Sequence, residues 1–255
     1  MTPPHVSSPG SGFRRRLAGP AAALLGIALA LGLVLGGLAP AAVAQDAAQT
    51  PTPGVLGTPA PTDPCAVPAD QTPTPLAEGT ETYAIVSEDS KARYRVEEEL
   101  AQIGATTAVG ETAAIIGQIL FSAEGMPLAC SRFDVDLRTL QSDSSRRDNY
   151  LYSNTLETEQ FPLATFILTG VEGLDGPLPD GEETSFTLIG NLTVHGVTHL
   201  ISWEAKVTRD GDELSGTALT RWEMPQFAIE PPRAGPVVSL DETVQLEVDI
   251  VAERA

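Results

Sequence analysis

Residues 244–250 read Val-Gln-Leu-Glu-Val-Asp-Ile, and the order of these seven side chains decides the class of fold. In an extended chain, successive side chains point to opposite faces. Val244, Leu246, Val248 and Ile250 then share one face, and Gln245, Glu247 and Asp249 the other. The same period of two recurs upstream. Phe133, Val135 and Leu137 alternate with Asp134, Asp136 and Arg138, and Ile115, Gly117, Ile119 and Phe121 form another face. Phe186, Leu188, Gly190 and Leu192 alternate with Thr187, Ile189 and Asn191, while Ile201, Trp203, Ala205 and Val207 alternate with Ser202, Glu204 and Lys206. Each such strand has one apolar and one wet face, the pattern of an antiparallel sheet covered on one side.

Turn chemistry separates the runs. Gly173 to Gly181 (GLDGPLPDG) and Arg209-Asp210-Gly211-Asp212 supply glycines for positive φ at hairpin ends. One helical candidate, SRRDNYLYSNTL, runs from Ser145 to Leu156. Residues 81–255 therefore form an all-β domain of about eight antiparallel strands with one short helix, either a closed barrel or a sandwich. An eight-stranded barrel is wide enough inside for a slender ligand.

Upstream of this domain lie two segments of different character. Residues 1–44 begin polar, reach Arg14-Arg15-Arg16, continue apolar from Leu17 to about Val43, and close on Ala42-Val43-Ala44. This is the order of a cleaved secretory signal peptide. The apolar run is also long enough for an uncleaved N-terminal membrane anchor, which would be the only membrane contact. In either case the arginines precede the apolar run, so the remainder is expected outside the cytoplasm. Residues 45–80 repeat Thr-Pro and Ala-Pro steps and are expected to be a disordered, extended linker. Cys65 lies in it. In an oxidising compartment Cys65 can pair with Cys130; the alternative is a mobile or intermolecular thiol.

The whole chain has 255 residues, with 34 acidic and 15 basic side chains and a formal charge of −19. Such a balance is repelled by nucleic acid and by anionic lipid surfaces. The arginine-bearing leader is the one basic stretch, so the exported part is more acidic still. Two cysteines are too few for a disulfide-stapled miniprotein or a cysteine-rich zinc module.

Read in order, the domain resembles the YceI family of exported lipocalin-like barrels. Ser90-x-x-x-Tyr94 with Val96 resembles its opening strands, and Phe133-Asp134-Val135-Asp136-Leu137-x-Thr139-Leu140 a later one. Arg147-Asp148, Leu151 and Phe161-Pro162-x-Ala164-Thr165-Phe166 match its helix and the strand that follows. The most specific piece is Gly190-Asn191-Leu192-Thr193-Val194-His195-Gly196-Val197-Thr198; Arg221 and Phe227 resemble a later arginine strand. The match spans residues 82–253. Two places depart from it: Glu97-Glu98-Glu99 stands where members often carry a histidine, and Trp222–Gln226 replaces an aspartate-aromatic-glycine step. Both sit where ligand ends or loops lie, so they bear on the ligand's identity more than on the fold.

The resemblance implies a non-enzymatic carrier, without cofactor, that holds a polyisoprenoid or similar long amphiphile, a quinone among them, in the barrel lumen. Candidate lining residues are Phe133, Val135, Leu137, Phe166, Leu168, Phe186, Leu188, Trp203 and Phe227. The competing interpretation is that these side chains fill a dry core, which would leave a structural or interaction module of the bacterial envelope. An enzyme acting on a small hydrophobic compound is the third.

Each chemical candidate has a plainer role. His195 and His199 are too few for a metal site without a carboxylate or cysteine beside them, and suit a strand turn. Arg147 and Asp148, beside the helix start, suit capping and salt bridging more than catalysis or headgroup binding. The runs Glu97-Glu98-Glu99 and Asp241-Glu242 are expected on solvated faces. Asn191-Leu192-Thr193 is formally a glycosylation acceptor, but it lies within a strand. No catalytic motif is present: no G-x-S-x-G, no H-E-x-x-H and no phosphate-binding glycine loop. The sequence does not specify oligomeric state.

Overall fold

The computed structural model describes residues 54–57, 65, 76–233 and 237–255. Their strands are β1 (Gly54–Gly57), β2 (Glu81–Ile85), β3 (Lys91–Leu100), β4 (Gly104–Thr112), β5 (Ile115–Phe121), β6 (Arg132–Asp136) and β7 (Gln141–Ser142). They continue as β8 (Leu163–Glu172), β9 (Thr184–Val194), β10 (Val197–Asp210), β11 (Glu213–Glu223), β12 (Val237–Leu240) and β13 (Thr243–Arg254). Hydrogen bonding closes a ring in the order β2, β5, β6, β8, β9, β10, β11, β13 and back to β2, with every pairing antiparallel. This is an eight-stranded lipocalin-like barrel. Closure removes the open sheet edges that an antiparallel sandwich leaves exposed. The long β3–β4 hairpin continues β2 and β5, and β13 pairs with both β2 and β3.

The alternation of residues 244–250 becomes the wall of this barrel. Val244 and Val248 are buried in the core. Facing outwards, Gln245, Glu247 and Asp249 pair in register with Arg95, Arg93 and Lys91 of β3. Cross-strand ion pairs follow: Arg93 to Asp249 at 2.5 Å, Arg95 to Glu247 at 2.9 Å and Lys91 to Glu111 at 2.9 Å. Exposed pairs of this kind are each worth about 1 kcal/mol or less. The arginine and lysine side chains hold Glu111 below the usual carboxylate range.

The expected helix is present but changes pitch. It is α-helical over Ser145–Tyr150 (α1) and π-helical over Leu151–Thr155, and Leu156 N–H donates to the Leu151 carbonyl at 2.8 Å. Ser144 caps its start, the side-chain oxygen accepting from Arg147 N–H. The slack π turn lets Leu151 and Tyr152 pack on the core while Leu156 is buried in it. Among the described residues no helix is long and apolar enough to cross a membrane. The signal or anchor segment 1–44 lies outside the described residues, as does most of the linker.

Two expectations need correction. Gly54–Gly57, within the stretch expected to be a disordered linker, is a strand paired with β10 at Gly54↔Ser202, Val55↔Ile201 and Gly57↔Leu200. The reason is local. Pairing between β10 and β11 begins only at Glu204, so the earlier β10 edge needs partners for its backbone groups. GVLG is also a short stretch of the linker without proline, which would remove a ladder donor. The second correction concerns Glu98. It follows Ala92, Tyr94 and Val96 on the inward face of β3, and its side chain is only 4% exposed, paired with Arg147 at 2.9 Å. It is a buried charge at the barrel rim, while its neighbours Glu97 and Glu99 are exposed.

Gly190 is required by packing. A Cβ there would lie 2.4 Å from the Ile167 carbonyl oxygen and 2.5 Å from the Phe166 ring. Backbone cannot yield as a flexible side chain can. Gly190→Ala is expected to cost about 1–3 kcal/mol, the usual price of overpacking, read as a lower urea midpoint at unchanged slope.

Candidate ligand-binding lumen

The inward faces of the barrel strands meet around three aromatic rings. Phe133 lies 5.3 Å from Phe166 and 6.4 Å from Trp203, and Phe166 is 5.7 Å from Trp203 (centroid to centroid), the two Trp203 contacts being edge-to-face. Strand register places them: Phe133 pairs with Phe166 across β6 and β8, and Trp203 with Leu188 across β10 and β9. Two cavities adjoin this cluster. One of about 100 Å³ lies between Phe121, Phe186, Leu214 and Ile250; the other, of about 70 Å³, lies between Tyr94, Leu137, Leu140 and Leu246. Phe133 and Val248 border both, so the two are compartments of one lumen separated by side chains.

Eight of the nine candidate residues line these compartments. Phe133, Phe166, Leu168, Phe186 and Leu188 border the larger, and Val135, Leu137 and Trp203, with Phe133 again, the smaller. Phe227 does not. It sits in the 3₁₀ turn Met224–Phe227, fully buried, with its ring 4.5 Å from Trp222 and 5.1 Å from His199. The turn after β11 takes this side chain out of the alternating wall, so it packs where the barrel wall ends.

Several lining residues were not singled out from the sequence. Ala205, Val207, Val248 and Ile250 belong to alternating faces already legible there, and their period was the signal. Leu214 and Ala218 lie on β11, whose alternation is obscured by small and hydroxylated residues. Tyr94 borders the smaller compartment, and its ring lies over Gly110, where a Cβ would meet it at 2.3 Å. Burial pushes the Tyr94 phenol up to about 12, so it remains a protonated donor.

The polar candidates are committed elsewhere. His195 and Gly196, at φ 51° and 73°, form the two-residue turn between β9 and β10. His195 Nε2 bonds the Glu157 carboxylate at 3.0 Å and its ring packs on Phe161, whereas His199 Nε2 donates to the Gln226 carbonyl at 2.6 Å. Among the described residues no three His, Cys, Asp or Glu side chains are grouped to hold a metal ion. Asp148 accepts from Ser142 N–H at 3.0 Å and from its hydroxyl at 2.6 Å, and Arg147 bridges Glu98 and Asp143. Both fasten α1 to the barrel rim. Cys65 and Cys130 form a disulfide, with 5.3 Å between Cα atoms, that joins the linker to the turn between β5 and β6.

A closed eight-stranded antiparallel barrel around an apolar lumen defines a lipocalin-like class of protein. A family model described as YceI-like domain matches residues 83–252, and the chain belongs to the YceI family. A UPF0312 protein of Pseudomonas putida (strain GB-1) is 29% identical over 129 residues, covering 47% of this chain and 61% of that protein. Protein YceI of Escherichia coli O157:H7 is 35% identical over 88 residues, 33% of this chain and 42% of that one. The chain thus spans less than two thirds of the length of these relatives. Among solved structures, Burkholderia cenocepacia BcnA aligns with a TM-score of 0.53 at 14% identity, over 66% of this chain and 99% of that one. A polyisoprenoid binding domain from Saccharophagus degradans, implicated in plant cell wall breakdown, aligns with 0.53 at 16% identity, over 68% and 98%. At such identities the likeness is one of fold.

Proposed function

We propose that this chain is an exported lipid carrier that holds a polyisoprenoid or similar long amphiphile, a quinone among the candidates, in the barrel lumen and performs no catalysis. The observation that carries the proposal is the pair of adjoining apolar compartments around Phe133, Phe166 and Trp203. An alkyl chain there gains about 0.8 kcal/mol for each CH₂ removed from water, so affinity needs no charged anchor. The polyisoprenoid-binding domain of Saccharophagus degradans, which shares the fold, supports the ligand class. Export is supported by the arginine-led apolar leader, and a disulfide between Cys65 and Cys130 suits an oxidising compartment.

Organic extraction of protein purified from its native host, followed by mass spectrometry and by uptake of a fluorescent isoprenoid probe, tests this function. A long-chain lipid in the extract and saturable uptake are expected; neither being found would overturn it. One observation favours a second interpretation, a filled barrel acting as an envelope interaction module. The compartments are of about 100 and 70 Å³, smaller than the roughly 300–1,000 Å³ of ordinary ligand pockets. Absence of uptake in an otherwise stable protein would support it.

A further inference from the structure

The barrel closes its own ring, but the β3–β4 hairpin keeps an open edge. β4 pairs with β3 at nine consecutive positions, from Gly104↔Leu100 to Thr112↔Ala92. On its other side only Gly110 and Glu111 have a strand partner, in β7. The outer edge from Gly104 to Val109 therefore carries backbone groups that no strand among the described residues engages. Exposed edges are ordinarily blunted by lysine, proline, a bulge or an inward-pointing charge. The run Gly104-Ala105-Thr106-Thr107-Ala108-Val109 has none of these, and its pairing with β3 keeps an unbroken register. Its threonines and valine favour the extended chain. An edge of this kind accepts a further strand through its main-chain hydrogen bonds.

The charges beside this edge narrow which strand it takes. Along the first half of β3 the outward carboxylates are matched by cations: Glu111 by Lys91 and Arg93, Asp249 by Arg93, and Glu247 by Arg95. Further along the hairpin the cations stop. Glu97 and Glu99, exposed on the outward face of β3, have no ion pair among the described residues. Glu97 accepts from the Thr107 hydroxyl at 2.8 Å and Glu99 from the Ser239 hydroxyl at 3.5 Å. In register, Glu97 lies opposite Thr107 and Glu99 opposite Ala105, two short and exposed side chains of β4. A lysine or arginine on a strand added to β4 would cross them and meet the two carboxylates about 10 Å away, two strand spacings, within the joint reach of the long side chains. A second copy of this chain, pairing β4 with β4, brings no cation, since its own edge carries none. We propose that the Gly104–Val109 edge of β4 is a docking site for an extended, proline-free protein segment with lysine or arginine at alternate positions. Docking there is independent of what the lumen holds.

The test uses three fluorescent nine-residue peptides on the full chain at low salt. One alternates lysine with valine, the second has glutamate for lysine, and the third has proline for valine. The lysine–valine peptide is expected to bind at least about tenfold more tightly than either of the others, one lacking the charge match and the other the ladder donors. Amide hydrogen exchange should slow at Gly104–Val109 on binding and stay unchanged at Val237–Leu240. The double variant Glu97→Gln/Glu99→Gln should weaken this peptide about fivefold to tenfold. Ala105→Lys, which sets a like charge on the edge, should weaken it at least as much. All three positions are exposed, and an unchanged urea midpoint shows that the variants fold. Equal binding of the proline peptide, or no slowing at Gly104–Val109, overturns the docking site and leaves charge attraction alone. So does failure of the lysine–valine peptide to bind, or self-association of the chain that Ala105→Lys abolishes, which would give the edge to a second copy. None of these outcomes bears on isoprenoid uptake, which is measured separately.

Discussion

Leu188→Arg is expected to abolish isoprenoid uptake, by at least about 100-fold, in a protein that still folds. Leu188 borders the larger compartment on β9 and pairs with Trp203 of β10. It is only half-buried, so an arginine there has room along the lumen and need not be driven into a packed core. Its guanidinium then occupies the path an alkyl chain would take and finds no carboxylate among the lining side chains of that compartment. A lipid tail would have to displace the charge or lie against it, and both cost more than burial of a few methylenes returns. Leu188→Ala is the companion variant. It widens the lumen without charging it, so uptake should be retained while thermal stability falls. Equal uptake by Leu188→Arg and the unmodified protein would place the ligand somewhere other than the lumen.

The second large effect is on stability. Arg147→Ala leaves the Glu98 carboxylate, 4% exposed, without its partner at 2.9 Å. Breaking a fully buried pair costs about 3–5 kcal/mol; with the Arg147 side chain 25% exposed, water enters and about 2–3 kcal/mol is the expected loss. Urea denaturation should show it as a lower midpoint. Glu98→Gln in the same background should recover most of the loss, because the neutral amide carries a far smaller desolvation penalty. A double variant no more stable than Arg147→Ala would show that the arginine acts through Asp143 and the Ser142 hydroxyl instead.

Gly190 and Glu98 illustrate how far the sequence could be read. Gly190 lies in the hairpin motif GNLTVHGVT, and the period of two placed it on one face with Leu188 and Leu192, opposite Ile189 and Asn191. That it must be glycine depends on the Phe166 ring, which belongs to another strand. Glu98 stands between two other glutamates, and an acidic run gives no sign that its middle member turns inwards. The period of two continues through it from Tyr94 and Val96, but burial of a charge becomes tolerable only because Arg147, 49 residues away, arrives with α1. The strand Gly54–Gly57 was illegible for the same reason. Its partner is a stretch of β10 edge that exists only once β11 has diverged.

Local order thus determined most of the barrel strands, their inward faces, the helix near Ser145 and most of the lumen lining. Alternation is a property of consecutive residues and survives whatever the chain packs against. Tertiary structure decided the closure of the sheet into a ring, the division of the lumen at Phe133, the burial of Glu98 and the removal of Phe227 from the wall. It also brought Tyr94 and Trp203 to one compartment. Each of these depends on residues distant in sequence meeting at one place. A period along the chain carries direction, towards the interior or towards water, but not which side chain will be met there.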